Sequence, residues 1–320
     1  MKRREFIAGL AAVLSASGRA WADNRPRLLG ALVTPQTRKQ ILEAVLRDRG
    51  WNIGRDLQIE YRVSNGDTEE TRMRARELLS LKPDALFAAT NTCMAALQAE
   101  RSTVPTVFAM VSDPISMHYV ESFSKPGGNV TGFTPFEPSL GGKWVSLLKE
   151  VAPQIKHIGL IYNPEPGNNS AEFRKSIDQV AQTTGILSVR VPAGDSSDVD
   201  RLISSLKTEP DSGLIFLPDL LTSVRRNELT ELVARCRLPA VYPLRMFCEA
   251  GGLMSYGVDI DKIYVGAASY VDRILRGVSP SELPVQAPTE FELIINQKTA
   301  KQLGLALPST LLARADAVIE

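Results

Sequence analysis

Asp84-Ala85-Leu86-Phe87-Ala88-Ala89, the segment from Thr92 to Arg101, and Pro105-Thr106-Val107-Phe108-Ala109 decide the fold of this 320-residue chain. Two short apolar runs flank a stretch of helical character. A strand with no polar face is covered on both sides, as in a parallel sheet wrapped by helices. A helix between two such strands is a βαβ unit, the building block of α/β folds.

The pattern extends outward in both directions. Leu28-Leu29-Gly30-Ala31-Leu32-Val33 is another buried strand. Residues 37–49 form a helix with Ile41, Leu42, Val45 and Leu46 on one face, stopped by Gly50. Residues 56–63 alternate as a strand, and 68–81 form a charged helix that ends before Pro83. The plan then restarts. Residues 156–162, 186–191, 213–217 and 239–242 read as strands, and 170–183, 197–206 and 222–236 as the helices between them. Between the halves lies Lys125-Pro126-Gly127-Gly128-Asn129-Val130-Thr131-Gly132, whose glycines and proline mark a crossover. A helix follows at 260–276, with Asp259 as its N-cap and Gly277 as its stop. The strand 291–295 and a helix at 297–303 come later. This tail is too long to extend the second half alone, so it is expected to return to the first lobe and cross again. The expected fold is α/β, two Rossmann-like lobes joined by three hinge crossovers. The expected division is 23–130 plus 252–287 for lobe 1 and 131–251 plus 288–320 for lobe 2.

Composition bounds the function. Hydrophobic residues are 44%, charged 23% and aromatic 6%, the profile of a soluble globular protein. Residues 1–22 carry +3 of a formal net charge of +1, leaving −2 on the rest. Such a chain lacks the basic stripe of a nucleic-acid binder. Two histidines and three cysteines offer few ligands for a transition metal, and no cofactor is expected.

The start of the chain reads as an address. Met1-Lys2-Arg3-Arg4 is basic, residues 6–14 are apolar apart from Gly9, and Ala20-Trp21-Ala22 supplies small residues before a cut at Asp23. Arg3-Arg4-Glu5-Phe6-Ile7 also resembles a twin-arginine export signal, which leaves the choice of export route open. The apolar run is too short for a membrane span, and no cysteine near the cut offers a lipid anchor. The mature protein is therefore expected in the periplasm. Cys93, Cys236 and Cys248 leave at least one thiol unpaired. Cys236 and Cys248 either pair or serve as small buried residues.

Several segments carry a family resemblance. They are Ser112-Asp113-Pro114, Pro126-Gly127-Gly128-Asn129-Val130-Thr131-Gly132, Tyr162-Asn163-Pro164 and Arg237-Leu238-Pro239-Ala240. To these add residues 249–257, ending Gly251-Gly252-Leu253-Met254-Ser255-Tyr256-Gly257, and the tail segments 291–296 and 314–316. Over about 28–320 the chain resembles ABC-transporter substrate-binding proteins of the group whose best understood members bind tryptophan or other aromatic amino acids. The resemblance implies a type I periplasmic binding fold. It also implies a monomer that captures a small molecule and passes it to a membrane permease with its ATPase.

In open α/β sheets ligands sit beyond the carboxyl ends of the strands. That rule selects the loops 34–36, 90–92, 112–114, 163–170, 218–221 and 256–259. Thr34 is the first candidate. Thr90, Asn91 and Thr92 have the hydroxyls and helix-start N–H groups that suit a carboxylate, and the same residues suit plain capping. Ser112 is a better direct contact than Asp113, whose place before Pro114 suits a turn. Asn163 opens the first loop of the second lobe. There Asn169 and Ser170 match Thr90–Thr92, and the resemblance implies an Asn-Ser pair at this place. Asp219 is suited to hold an ammonium group or to cap a helix. Tyr256 either offers its ring or hydroxyl to the ligand or packs the hinge. Pro218-Asp219-Leu220-Leu221 departs from the Pro-Thr-Asp-Asn of the tryptophan-binding members. The ligand is therefore expected to be an amino acid or an aromatic acid.

Other classes fit less well. No Gly-x-Ser-x-Gly elbow and no metal-spaced histidine pair appears, so catalysis is not expected. No DNA-binding helix pair precedes Arg27, which argues against a two-lobed repressor. An exported sensor subunit for a membrane receptor remains the alternative.

Overall fold

Parallel pairing runs through both halves of the chain. The computed structural model describes residues 25–135, 137–164, 170–193, 196–209 and 211–320. The signal-peptide reading and Asn169 lie outside these residues. The smaller sheet consists of β1 (Arg27–Val33), β2 (Leu57–Val63), β3 (Ala85–Ala88), β4 (Thr106–Ala109) and β5 (Val130–Phe133), in the order β2-β1-β3-β4-β5. All its pairings are parallel. The larger sheet consists of β6 (His157–Tyr162), β7 (Leu187–Pro192), β8 (Ser212–Phe216), β9 (Ala240–Tyr242), β10 (Met254–Gly257), β11 (Glu292–Asn296) and β12 (Ala317–Ile319). Its order is β12-β11-β10-β9-β8-β6-β7. Without β11 and β12, this order repeats that of the smaller sheet strand for strand. The β10–β11 pairing is antiparallel, so β11 and its parallel neighbour β12 run against the other strands of this sheet.

Helices cover both sheets because each turns an apolar face inward. In the first lobe α1 (Lys39–Asp48) buries Leu42 and Leu46. Next come α2 (Thr68–Ser80), whose N-cap Asp67 accepts from Glu70 N at 2.8 Å, and α3 (Asn91–Ala99). The second lobe holds α4 (Leu140–Val151), α5 (Ser170–Thr183), α6 (Ser196–Leu206), α7 (Leu220–Val224), α8 (Arg226–Cys236) and α9 (Arg245–Glu249). The sequence reading of one helix over 222–236 is corrected here: Asp219 starts α7, and the chain bends at Arg225 before α8 begins. The helix α10 (Ile260–Leu275) packs on α1 and on β3, β4 and β5. The last helices are α11 (Gln297–Leu303) and α12 (Ser309–Leu312).

Three crossovers join the sheets, as the tail length implied. The chain leaves the smaller sheet after β5, returns to it with α10, and crosses again between Gln286 and β11. Pairing of β10 with β9 and β11 keeps residues 254–257 in the larger sheet, so the return comes after Gly257 rather than from 252. Two crossovers run side by side. Gln286 N donates to Gly132 O at 2.9 Å, and Thr134 N donates to Gln286 O at 2.9 Å.

Glycines permit the tight approaches at these exits. A Cβ on Gly257 would lie 1.8 Å from Pro243 O, and one on Gly132 would lie 2.2 Å from Phe108 O. Neither neighbour is a side chain that can swing away. We expect Gly257→Ala to cost about 2 kcal/mol of stability through overpacking. Urea unfolding measures this, and an unchanged midpoint would show that β10 and Pro243 can separate freely.

Cys93, Cys236 and Cys248 are free and buried, which resolves the cysteine alternatives in favour of packing. Burial pushes the Cys248 thiol up to about 12, so it stays protonated.

Candidate functional site

Strand ends from both sheets contribute to one cleft of about 930 Å3. After β1 come Thr34, Gln36 and Arg38, and after β2 come Asn65 and Gly66. Ala89 to Thr92 follow β3, and Met110 and Ser112 follow β4. From the larger sheet, Asn163 follows β6, Pro218 and Asp219 follow β8, and Leu244 and Met246 follow β9. The arrangement is the strand-end rule applied twice, from opposite sides.

The first lobe offers hydroxyls and amides. Thr90 caps α3, its Oγ1 accepting from Cys93 N at 3.3 Å, which stabilises the helix start by about 1 kcal/mol. Asn91 Oδ1 accepts from Ser112 N at 2.8 Å and so ties the loop after β4 to the loop after β3. Thr34 is buried, and its N–H donates to Thr37 Oγ1 at 2.9 Å. Tyr264, from α10, forms part of the wall. Burial pushes its phenol up to about 12, only partly offset by its hydrogen bond to Thr37, so it is neutral and able to donate.

The second lobe offers a carboxylate held from two sides. Leu221 N and Thr222 N donate to Asp219 Oδ1 at 2.8 and 3.3 Å. Asn163 Nδ2 donates to Oδ2 at 3.0 Å. Asp219 is half-buried rather than enclosed. It therefore caps α7, and one face of its Oδ2 has lone-pair capacity left. Capping and ligand contact, the two sequence readings, are compatible in this geometry.

Thus Thr34, Thr90, Asn91, Thr92, Ser112, Asn163 and Asp219 come together. Asp113 and Tyr256 do not reach this wall. Asp113 has φ +49° and closes a turn in which Ser116 N donates to its Oδ1 at 3.3 Å. The Tyr256 ring packs against Phe291 at 5.8 Å between centroids, and its carbonyl accepts from Trp144 Nε1 at 2.7 Å. It belongs to the hinge side of the molecule. Ser170 starts α5 at the place expected for it. The sequence reading missed Asn65, Leu244 and Met246, although the same rule applied to β2 and β9 finds them. It also missed Arg38 and Arg72. Arg38 lies just past the loop 34–36, at the N-cap of α1, and Arg72, inside α2, leaves no strand-end signal.

The apolar part of the cleft comes from Ala95, Ala96 and Ala99 on α3, from Met110 and Met117, and from Leu221 and Val224 on α7. Among the described residues no group of three His, Cys, Asp or Glu side chains is placed to hold a metal ion. No helix among them is long and apolar enough to cross a membrane.

Comparison with known proteins bears on the family and the fold. A model of the family described as ABC transporter substrate binding protein matches residues 34–319. A protein named Tyrosine-binding protein, from Clostridioides difficile (strain R20291), is 28% identical over 262 residues, covering 81% of this chain and 74% of that protein. The crystal structure of a conserved domain protein from Vibrio cholerae O1 biovar El Tor is 28% identical, with a TM-score of 0.82 over 92% of this chain and 100% of that one. An ABC domain from Streptococcus pneumonia in complex with L-Trp superposes with the same TM-score of 0.82, at 21% identity and with 92% and 100% coverage, a likeness of fold.

Proposed function

The chain belongs to the ABC transporter substrate binding protein family, and from that premise we propose that its ligand is an amino acid or an aromatic acid held in the cleft between the sheets. As a member of that family it is a solute-binding protein that delivers its ligand to an ABC importer. The family places it with transport rather than with sensing.

The observation that carries the ligand reading is the pairing of unlike walls. Hydroxyl and amide groups at Thr34, Thr90, Asn91, Thr92 and Ser112 face the Asn163–Asp219 pair across an apolar floor. A carboxylate suits the start of α3, where backbone N–H groups and the helix dipole favour negative charge. An ammonium suits the remaining face of Asp219. Ser170 and Asn169 are proposed to join from the second lobe. The lobes, 25–133 plus 258–286 and 137–257 plus 287–320, then close about the paired crossovers and exclude water from the ligand. The closed form docks on a membrane permease whose ATPase drives uptake, and the protein itself performs no chemistry on the ligand.

A thermal-shift screen of the mature chain against amino acids and aromatic acids tests the ligand class. At 100 times its dissociation constant a ligand adds about 2.7 kcal/mol of stability. Small-angle scattering should then show a smaller radius of gyration with the best ligand. Unchanged scattering at saturation would count against closure, and turnover of the ligand would count against transport.

Export is proposed from the basic start and the Ala20-Trp21-Ala22 cut. Mass spectrometry of the protein from its native source should find an N-terminus at or near Asp23. An intact Met1 in the soluble fraction would refute export with cleavage.

A further inference from the structure

Among the described residues two guanidinium groups line the cleft, Arg38 and Arg72. They differ in how they are compensated. Arg38 Nε lies 3.1 Å from Asp261 Oδ1 and is hydrogen-bonded to it. Arg72 Nη1 has Glu69 Oε1 only at 3.7 Å, beyond hydrogen-bond reach, and that glutamate side chain is 82% exposed. A carboxylate so open to water screens its partner weakly. Arg72 Nε is buried and has no acceptor. A buried donor without a partner is unfavourable, and an arriving anion would relieve it.

The register of the two helices locates this charge. Arg76 Nε donates to Glu100 Oε1 at 2.9 Å, which sets α2 beside the far end of α3. One and two turns back from Arg76 on α2, Arg72 and Thr68 line the cleft, as Ala96 and Thr92 do on α3. On α2 itself Arg72 lies four residues, about 6 Å along the axis, beyond Thr68, so the two lining groups of this helix are spaced by about one turn. The lining also holds methyl groups, Ala95 and Ala96, and α7 turns Leu221 and Val224 toward the same space. Hydroxyls, methyl groups and a weakly compensated guanidinium thus share the lining of one cleft.

We infer that the ligand carries an acidic group on the far end of an apolar body and that Arg72 binds it, an inference that rests on the cleft being the ligand site. The ligand class is then an acid with a second, distal anionic group, spaced from the first by roughly a ring or a short chain. Arg72 selects against neutral and amine-ended analogues, because each would leave its Nε unpaired and dehydrated in the closed cleft.

Matched ligands test this on the full mature chain. Isothermal titration calorimetry compares para-carboxyphenylalanine with para-methylphenylalanine, and terephthalate with para-toluate. The carboxylate-ended member should bind about tenfold tighter or better in at least one pair, with the other pair never reversed. Arg72→Met should bring the members of that pair within about twofold, by weakening the carboxylate-ended ligand and tightening the methyl-ended one. Arg72→Lys should retain part of the preference. The unfolding temperature of Arg72→Met without ligand should match that of the wild type, since the side chain is partly exposed on α2. Indifference of the wild type to the distal group, preference for the methyl-ended member, or a preference that survives Arg72→Met each overturns the inference while leaving the cleft reading standing. If the wild type binds none of the four, nor L-tyrosine, nor L-tryptophan, the cleft reading itself falls and this inference with it.

Discussion

Asp219→Asn is expected to weaken binding of an amino-acid ligand by about 2–3 kcal/mol, roughly 30- to 150-fold. The carboxylate is fixed before any ligand arrives, because Leu221 N, Thr222 N and Asn163 Nδ2 donate to it. In the open cleft it is half-buried and shares its charge with water. Closure removes that water, and an ammonium group then becomes its charged partner. Asparagine keeps the size and caps a helix about as well, so the empty protein should unfold at nearly the same urea concentration. An amine-free aromatic acid should bind both proteins alike. Calorimetric titration separates the cases. Equal affinity of both proteins for an amino acid would assign Asp219 to capping alone and leave Thr90 and Ser112 as the main ligand contacts.

Trp144→Ala is expected to cost about 3–5 kcal/mol of stability. Trp144 is fully buried, and its ring stacks on Phe173 with centroids 5.4 Å apart. Its Nε1 also donates to Tyr256 O at 2.7 Å, on the strand from which the chain leaves the larger sheet. Removing the indole opens a cavity and also leaves that carbonyl without this donor, two costs that add. Trp144→Phe refills most of the space but not the hydrogen bond, and should cost clearly less. Equal losses in the two variants would mean that the hydrogen bond, not the volume, dominates.

The sheet architecture was legible because its signals are local. The runs around Leu86 and Leu214 are apolar on both faces, and such strands exist only where helices cover both sides. The three crossovers were legible from length, since the tail after Gly257 is too long for one more strand and helix. What was not legible depended on partners distant in sequence. The short helices α9 and α12 lack the length for a periodic pattern, and Gly141 and Gly142 weaken the helical signal of α4. Tyr256 sits at a strand end and was a fair candidate. Its carbonyl and ring are nonetheless committed to Trp144 and Phe291, residues whose proximity only the fold creates. Arg72 shows the converse. A helix arginine followed by further charges looks like a solvated face, and only the packing of α2 on α3 brings it to the cleft.

Asp113 illustrates a local competition. A residue before proline in a turn has little freedom, and its left-handed φ of +49° with the bond from Ser116 turns the carboxylate to its own backbone. Asn and Asp favour that geometry because the side chain replaces a backbone acceptor. Asp219 meets the same kind of local demand from α7, yet keeps an oxygen directed at Asn163, the opening residue of the neighbouring loop. The difference between a turn former and a candidate contact is thus one hydrogen bond to another strand end.

The central claim is that one ligand is gripped by both sheets at their carboxyl edges. A crystal structure of the mature protein grown with the tightest acid from the screen tests it most directly. The account predicts ligand density between Thr90–Thr92 and Asp219, with its apolar body along Ala95 and Ala96 and the two sheets drawn closer than in the empty protein. Density seated outside the cleft, or an empty cleft at a ligand concentration that saturates binding in solution, would contradict it.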